Sequence, residues 1–236
     1  MNRSGSGAGR SAGAEGGDPR PRRGRVGRPR AAGPSSGDPR EEILAAARRL
    51  FRQKGFAATS TREIARLAGL RQPSLFHHFP NKEALLREVA VGAVQPVLAF
   101  VAAEARERRP ADVALYRLIR FDTWHLCTNP NALGSPFNLP EMTREQLPEF
   151  WTLRDRLAGE YERLLRRGRR ERLFVLEDVR MTSRMLFALG ESVLEVDPDE
   201  RQRRAAKLAA ATANLALRAV LADPSRLASV RREAGR

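Results

Sequence analysis

The chain has one cysteine, Cys127, and three histidines among its 236 residues. A single thiol excludes an intrachain disulfide and fits a reducing compartment, so a cytoplasmic location is expected. The histidines are too few for a zinc site: His77 and His78 are neighbours on a predicted helix and point apart, as do His125 and Cys127. No metal and no cofactor are therefore expected. No apolar run approaches the roughly 18 residues of a membrane span, and the basic N-terminus lacks the apolar core of a secretion signal, so no membrane partner is expected either. Also missing are G-x-x-x-x-G-K-[ST], G-x-S-x-G, C-x-x-C and H-E-x-x-H. Their absence removes the common phosphate-cradling, hydrolytic, redox and metallopeptidase sites, and the chain is not expected to be an enzyme. Strand-like alternation persists nowhere and no internal repeat is found, which leaves an all-α architecture.

What the chain has in excess is positive charge, +15 overall. Residues 1–40 hold nine arginines and three acids, net +6, and residues 41–90 hold nine basic and five acidic residues, net +4. Two thirds of the excess thus lies in the first 90 residues, which points to a polyanionic partner at that end, against a generally Arg-rich background. Residues 1–37 are Gly, Ser, Ala, Pro and Arg with almost no large apolar side chain, and are expected to be disordered when free. Within them Arg22, Arg23, Arg25, Arg28 and Arg30 form a basic arm, and Gly27-Arg28-Pro29-Arg30 resembles the core of an AT-hook. Such an arm can enter a narrow A·T minor groove or act as a solvated basic tail.

Order is expected from Asp38, where Asp38-Pro39-Arg40-Glu41 reads as N-cap, Pro at N1 and Glu at N3. Ile43, Ala47, Leu50 and Phe51 then repeat at helical spacing, up to Gly55. Ser60 and Glu63 have capping-box spacing, and Ile64, Ala65, Leu67 and Ala68 supply an apolar side. Gly69 offers a positive φ at a corner, and Pro73 opens a second short helix. With Leu75 and Phe79 inward, Arg71, Gln72, Ser74, Phe76, His77 and His78 are left largely outward. This is the division of labour of a helix-turn-helix, with double-stranded DNA as partner. For His77, partial burial against the first helix is an equal reading.

The run I-L-A-A-A-R-R-L-F from Ile43, the T-S-T-R-E-I-A-R-L-A-G-L stretch and F-P-N-K-E-A-L-L ending at Leu86 together resemble the DNA-binding domain of TetR-family transcriptional regulators. By base chemistry Gln72 suits adenine and Arg71 guanine, while Ser74, His77 and His78 are shorter readers or phosphate donors. Thr61, Arg62 and Lys82 are placed to hold phosphates. The resemblance carries phosphate or base roles onto Arg62, Gln72, Ser74, His78 and Lys82. Pro73 completes the expected DNA-facing set. Two positions depart from the family pattern: Phe76 stands where many relatives have Tyr, losing a hydroxyl, and Arg71 where many have Ser, losing a helix cap.

Beyond that stretch the pattern stays helical without a motif. Gly92 and Pro96 mark an expected break, with amphipathic runs from Pro96 to Arg109 and from Pro110 through Leu115, Leu118, Phe121 and Trp124. Residues 129–142 read as a long loop. A helix is expected from Pro148 to Arg167, then a Gly-broken basic connector over 166–172, then helices over 177–195 and from Pro198 to about Ala222. The resemblance implies a three-helix helix-turn-helix domain (38–90) followed by a larger helical ligand-binding and dimerisation domain (91–236). It also implies a homodimer through the last two helices and an unidentified small-molecule effector. Aromatic and Met side chains line apolar sites, so Phe121, Trp124, His125, Phe137, Asn138, Trp151, Met181 and Met185 are the pocket candidates, each equally able to be core. Cys127 is expected as a small buried hydrophobe rather than a redox sensor.

The expected function is a sequence-specific regulator, a repressor as most often in this family, acting as a homodimer on a palindromic operator and released by ligand. Two alternatives stand beside it: a nucleoid-type protein binding A·T-rich DNA broadly, and a helical enzyme or carrier with a basic arm. Deleting residues 1–37 distinguishes a working arm from a passive one. A working arm is lost as weaker DNA binding with a shallower salt dependence in fluorescence anisotropy, whereas unchanged affinity and slope identify a passive tail.

Overall fold

The computed structural model describes residues 37–132 and 140–235. Among these, helices alone build the molecule: α1 (Pro39–Lys54), α2 (Thr61–Leu67), α3 (Gln72–His78), α4 (Lys82–Glu104), α5 (Ala111–Thr128), α6 (Pro148–Arg170), α7 (Val179–Glu191), α8 (Pro198–Arg203), α9 (Ala205–Val220) and α10 (Leu227–Ala234). The architecture is all-α, with a helix-turn-helix head of α1–α3 ahead of a larger helical body. The expectations for residues 1–36 and 133–139, which include the arginine arm, Phe137 and Asn138, lie outside the described residues.

The head follows from local chemistry. Asp38 caps α1 by accepting the Arg40 amide at 2.9 Å, and Ser60 and Glu63 form a reciprocal capping box on α2. Lys54, at 2.6 Å, and Ser60 hold the Glu63 carboxyl down to about 2. At the end of α2, Gly69 takes φ 69°, with Leu70 N–H on the Ala65 carbonyl and Gly69 N–H on that of Arg66. That pair of bonds is a Schellman motif, and it sets the corner between α2 and α3. Ile43, Ala47, Phe51, Ile64, Ala65, Leu75, Phe79 and Leu85 close the core behind it. Leu67, expected to face inward, is 43% exposed.

The body differs from the sequence reading at several points. α4 runs through Gly92 and Pro96 as one helix of 23 residues, so the expected division at residue 90 falls inside it. It is also long and apolar enough to match a membrane span (mean hydropathy 1.6), which the sequence reading did not register. Leu85, Leu86, Val89, Val94, Val97 and Val101 are buried, however, where α4 packs on α1, α5 and α6, which makes it a core helix. α5 is buried on several sides, by α4, α6, α7, α9 and α10, and takes Asp112 and Asp122 into the interior with it. The expected 198–222 helix is divided at Arg204, just after the buried Arg201, whose guanidinium turns back to the Leu194 carbonyl at 3.3 Å. α10 was not anticipated. Another Asp-Pro pair, Asp223-Pro224, opens the turn before it, and Arg226 and Arg117 fasten it to α5 through Asp112 (2.6 Å) and the Ala234 carbonyl (2.6 Å).

α6 likewise continues past Gly168 to Arg170, where a broken connector was expected. Gly168 serves close packing: a Cβ there would lie 2.0 Å from the Phe174 ring. Phe174 is in turn fixed by an isolated bridge to Leu221, with Ala222 N–H on the Leu173 carbonyl at 2.9 Å. Gly168→Ala is expected to destabilise the body by about 1–3 kcal/mol despite alanine's better helix propensity, as overpacking does. Urea denaturation checks the sign; a stabilised variant would show that Phe174 can move aside.

Candidate nucleic-acid interface and buried cavity

The outward face of α3 is short and mixed. Arg71, Pro73, Phe76, His77 and His78 are exposed, and Gln72 and Ser74 are partly so. His77 therefore faces solvent rather than the first helix. Arg71 occupies the N-cap position with extended backbone and makes no side-chain cap bond. Gln72 donates its amide Nε2 to the Thr61 hydroxyl at 2.9 Å. One amide N–H and the carbonyl oxygen of Gln72 remain for a base edge, and the Thr61 hydroxyl keeps its own proton to donate. Phe76, 43% exposed, presents an apolar ring of the kind that meets a thymine methyl. Arg62 is exposed on α2.

Lys82 is placed differently from its expected role at a phosphate. Its ammonium donates to the carbonyls of Phe56 (2.8 Å) and Thr59 (2.9 Å) and lies 4.2 Å from the centre of the Phe56 ring. An ammonium has three donors and no more. It thus ties the start of α4 to the α1–α2 loop and supports the head from within.

Pro96 leaves an opening in the hydrogen-bond ladder of α4, because it has no N–H for the Gly92 carbonyl. Side chains from the end of α5 fill that opening. Asn129 Nδ2 donates to the Gly92 carbonyl at 3.4 Å and stands 2.7 Å from His125 Nε2, while His125 is bonded to the Ala93 carbonyl. Burial pushes the His125 pKa down, so the ring is neutral. Asn131 closes over Gly92, where a Cβ would come within 2.7 Å of its Nδ2, and its Oδ1 accepts from Arg48 of α1 at 3.2 Å. Arg48 also pairs with Glu41.

Asn131 faces a cavity on its other side. The cavity lies between α4 (Ala90, Ala93, Val94), α5 (Asp122, Leu126), α6 (Phe150, Arg154, Leu157) and α7 (Phe187, Glu191), with Ala132, Met142 and Leu194 completing the wall. Its enclosed void is about 60 Å³, within about 610 Å³ of space counted out to the open mouth, so a drug-sized guest needs the surrounding helices to part. None of the six described pocket candidates lines it. Trp151 is buried and donates Nε1–H to the Met142 carbonyl at 2.8 Å. His125 serves the α4 opening. Phe121 stacks on Phe100 at 4.1 Å, and with Trp124 it lines a second, more open cavity of about 390 Å³ against α9. Met181 and Met185 stand on the outer surface of α7, 48% and 63% exposed. The aromatic and Met side chains of this cavity, Phe150, Phe187 and Met142, were not among the candidates, whereas Phe121 and Trp124 line the second one.

The sequence reading missed the polar groups of the cavity. Asp122 is 6% exposed and its Oδ2 accepts the Tyr161 hydroxyl at 2.7 Å. Burial pushes the Asp122 pKa up to about 7, with Tyr161 and Arg154 opposing and Glu191 adding to the rise. Burial also raises the Tyr161 phenol well above its usual value. Arg154 pairs with Glu191 at 2.7 Å and lies 4.6 Å from the Phe187 ring centre. The signal was present: an acidic residue one turn beyond Leu118 and Ile119, on a stripe that is otherwise apolar. Cys127 is buried beside Val193 and Ala205, and burial pushes its thiol up to about 11, which keeps it protonated.

The head and body together define a helix-turn-helix regulator with an appended helical domain. The model of bacterial regulatory proteins of the tetR family matches residues 43–89. Over 98 residues the chain is 35% identical to the HTH-type transcriptional repressor KstR2 of Mycolicibacterium smegmatis, covering 33% of this chain and 48% of that protein. With such curated relatives it shares half their length or less. Solved structures match further. AmtR of Mycobacterium smegmatis is 30% identical with a TM-score of 0.60, over 85% of this chain and 98% of that one. PfmR, a TetR family transcriptional regulator of Thermus thermophilus, is 30% identical with a TM-score of 0.65, over 75% and 97%. The chain belongs to the TetR family.

Asp122 sets a pH dependence whose sign is fixed. Its folded pKa is above the usual 3.8, so its contribution to stability is full below about pH 4 and is lost as pH rises through about 7. Asp122→Asn, which keeps the shape and the Tyr161 bond, is expected to raise the melting temperature at pH 8 and leave it unchanged near pH 4. The upper bound on the gain is about 4 kcal/mol. Equal effects at both pH values would show that the carboxyl is not strained by burial.

Proposed function

We propose that this protein is a homodimeric transcriptional repressor that reads a palindromic operator through two α3 helices and is released when a small molecule fills the α4–α7 cavity. The observation that carries the reading is the exposed row Arg71, Phe76, His77 and His78 on a head whose core is closed behind it. One α3 of seven residues meets only a few base pairs, so useful specificity needs two, about 34–36 Å apart or a multiple of that. Gln72 and Arg71 read bases; Thr61, Arg62, Ser74 and His78 fix the register; Phe76 and Pro73 add apolar contact. The arm containing Arg22, Arg23, Arg25, Arg28 and Arg30 adds minor-groove or phosphate contacts.

Dimerisation is supported by large apolar side chains exposed on α7 and α9. Met181 and Met185, four apart, and Leu215, 56% exposed, lie on helices whose other faces are buried against the body. Two copies of that surface would meet as a four-helix interface. Coupling runs through Asn131, which touches the cavity on one side and Arg48 of the head on the other. A ligand that moves Asn131 changes how α1 is held, and so changes the spacing of the two α3 helices. Coupling of this kind is about 1–3 kcal/mol.

Anisotropy with the DNA upstream of its own gene and a scrambled duplex tests the reading. The cognate duplex is expected to bind at least about a thousandfold tighter. Gln72→Ala should cost roughly 1–3 kcal/mol on the cognate duplex and little on the scrambled one. A preference far below that floor, with equal losses for Gln72→Ala on both, would favour a broad DNA binder. The doubly charged variant Met185→Asp/Leu215→Asp should sediment as a monomer and bind the full operator weakly; an unchanged dimer would move the interface elsewhere.

A further inference from the structure

Charge balance in the cavity decides what chemistry suits it. Three ionisable side chains with distinct partners border it: Asp122, Glu191 and Arg154. Glu191 and Arg154 neutralise each other at 2.7 Å, and the Arg154 guanidinium lies over the Phe187 and Trp151 rings. Asp122 is left over. Its Oδ2 takes the Tyr161 hydroxyl, and its other oxygen has no donor among the described residues. We propose that the cavity, read as the effector site, takes an apolar molecule carrying one ammonium group, whose N–H donates to the open carboxyl oxygen of Asp122. Val94, Leu126, Met142, Phe150 and Leu157 would enclose its hydrocarbon part. An anion would have to displace Glu191 from Arg154 and lie against Asp122; a neutral donor such as a hydroxyl can bond the carboxyl but leaves its buried charge unbalanced once it is ionised.

Without such a guest, burial makes Asp122 keep its proton up to about pH 7. The groups acting on it are Tyr161 and Arg154 from α6 and Glu191 from α7. α4 presents only Ala90, Ala93 and Val94, the charged residues of α9, Lys207 and Arg218, are exposed, and His125 on α5 is neutral. An ammonium group needs the ionised form. Its binding therefore strengthens as pH rises through about 7 and releases the Asp122 proton when it occurs below that pH.

Calorimetry on the full chain with 4-phenylbutylamine, 4-phenylbutanol and 4-phenylbutyrate at pH 6 and 8 tests this. The amine is expected to bind about tenfold or more tighter than the alcohol at pH 8. About tenfold should be lost by pH 6, where buffers of different ionisation enthalpy should report close to one proton released. Asp122→Asn should abolish the amine's preference and its pH dependence while leaving the alcohol's affinity. Tighter binding of the alcohol or butyrate, or amine binding that is flat in pH, overturns the ammonium assignment and leaves the cavity as an effector site. Binding of none of the three overturns the assignment and also removes the support for the cavity as that site. Should Asp122→Asn fail to fold, the proton release by the unaltered chain still decides.

Discussion

The orientation of the head on the body depends on how α4 is completed around Pro96. A helix that crosses from one part to the other cannot carry an unsatisfied carbonyl in its buried stretch without cost, and here the missing bond is supplied by α5. Asn129 and His125 reach the Gly92 and Ala93 carbonyls, and the bare Cα of Gly92 lets Asn131 come close enough to meet Arg48. α1, α4 and the end of α5 are thereby fixed to one another at a single point. The cavity wall includes that same residue, Asn131.

The head was legible in the sequence because each of its determinants acts within a few residues. Asp38, the Ser60–Glu63 box, Gly69 and Pro73 do in the structure what their spacing announces. The body was less legible, because its boundaries depend on residues far away in sequence. Pro96 reads as a break until Asn129 is in place, and Gly168 reads as one until Phe174 covers it. The division at Arg204 accompanies an arginine that turns inward to Leu194. The cavity was hardest to foresee: its wall gathers residues from four helices distant in sequence, and its apolar members, such as Ala90, Val94, Phe150 and Leu157, read as ordinary core. Asp122 could have been found by asking why a carboxylate interrupts an apolar stripe.

Lys82 shows how a residue type can mislead when it is read by charge alone. A cation at the start of α4, beside an expected DNA surface, reads as a phosphate contact. Its placement over the Phe56 ring, with its donors on the α1–α2 loop carbonyls, makes it a support that stiffens α2 and, through Gln72 and Thr61, α3. The outward face of α3 thus rests on elements held together by these bonds.

The Asp112–Arg226 pair also bears on the order in which the chain can fold during synthesis. Asp112 is wholly buried, and its counter-charge is 114 residues further along. α1–α3 and the first turns of α4 can close their core within about the first 90 residues to emerge, since their partners lie near in sequence. α5 has no such option: until α9 and Arg226 have been made it exposes apolar surface and a carboxylate meant for the interior. During translation the molecule is therefore a finished head followed by an unfinished body, and the interval between the two is when it most needs protection from aggregation.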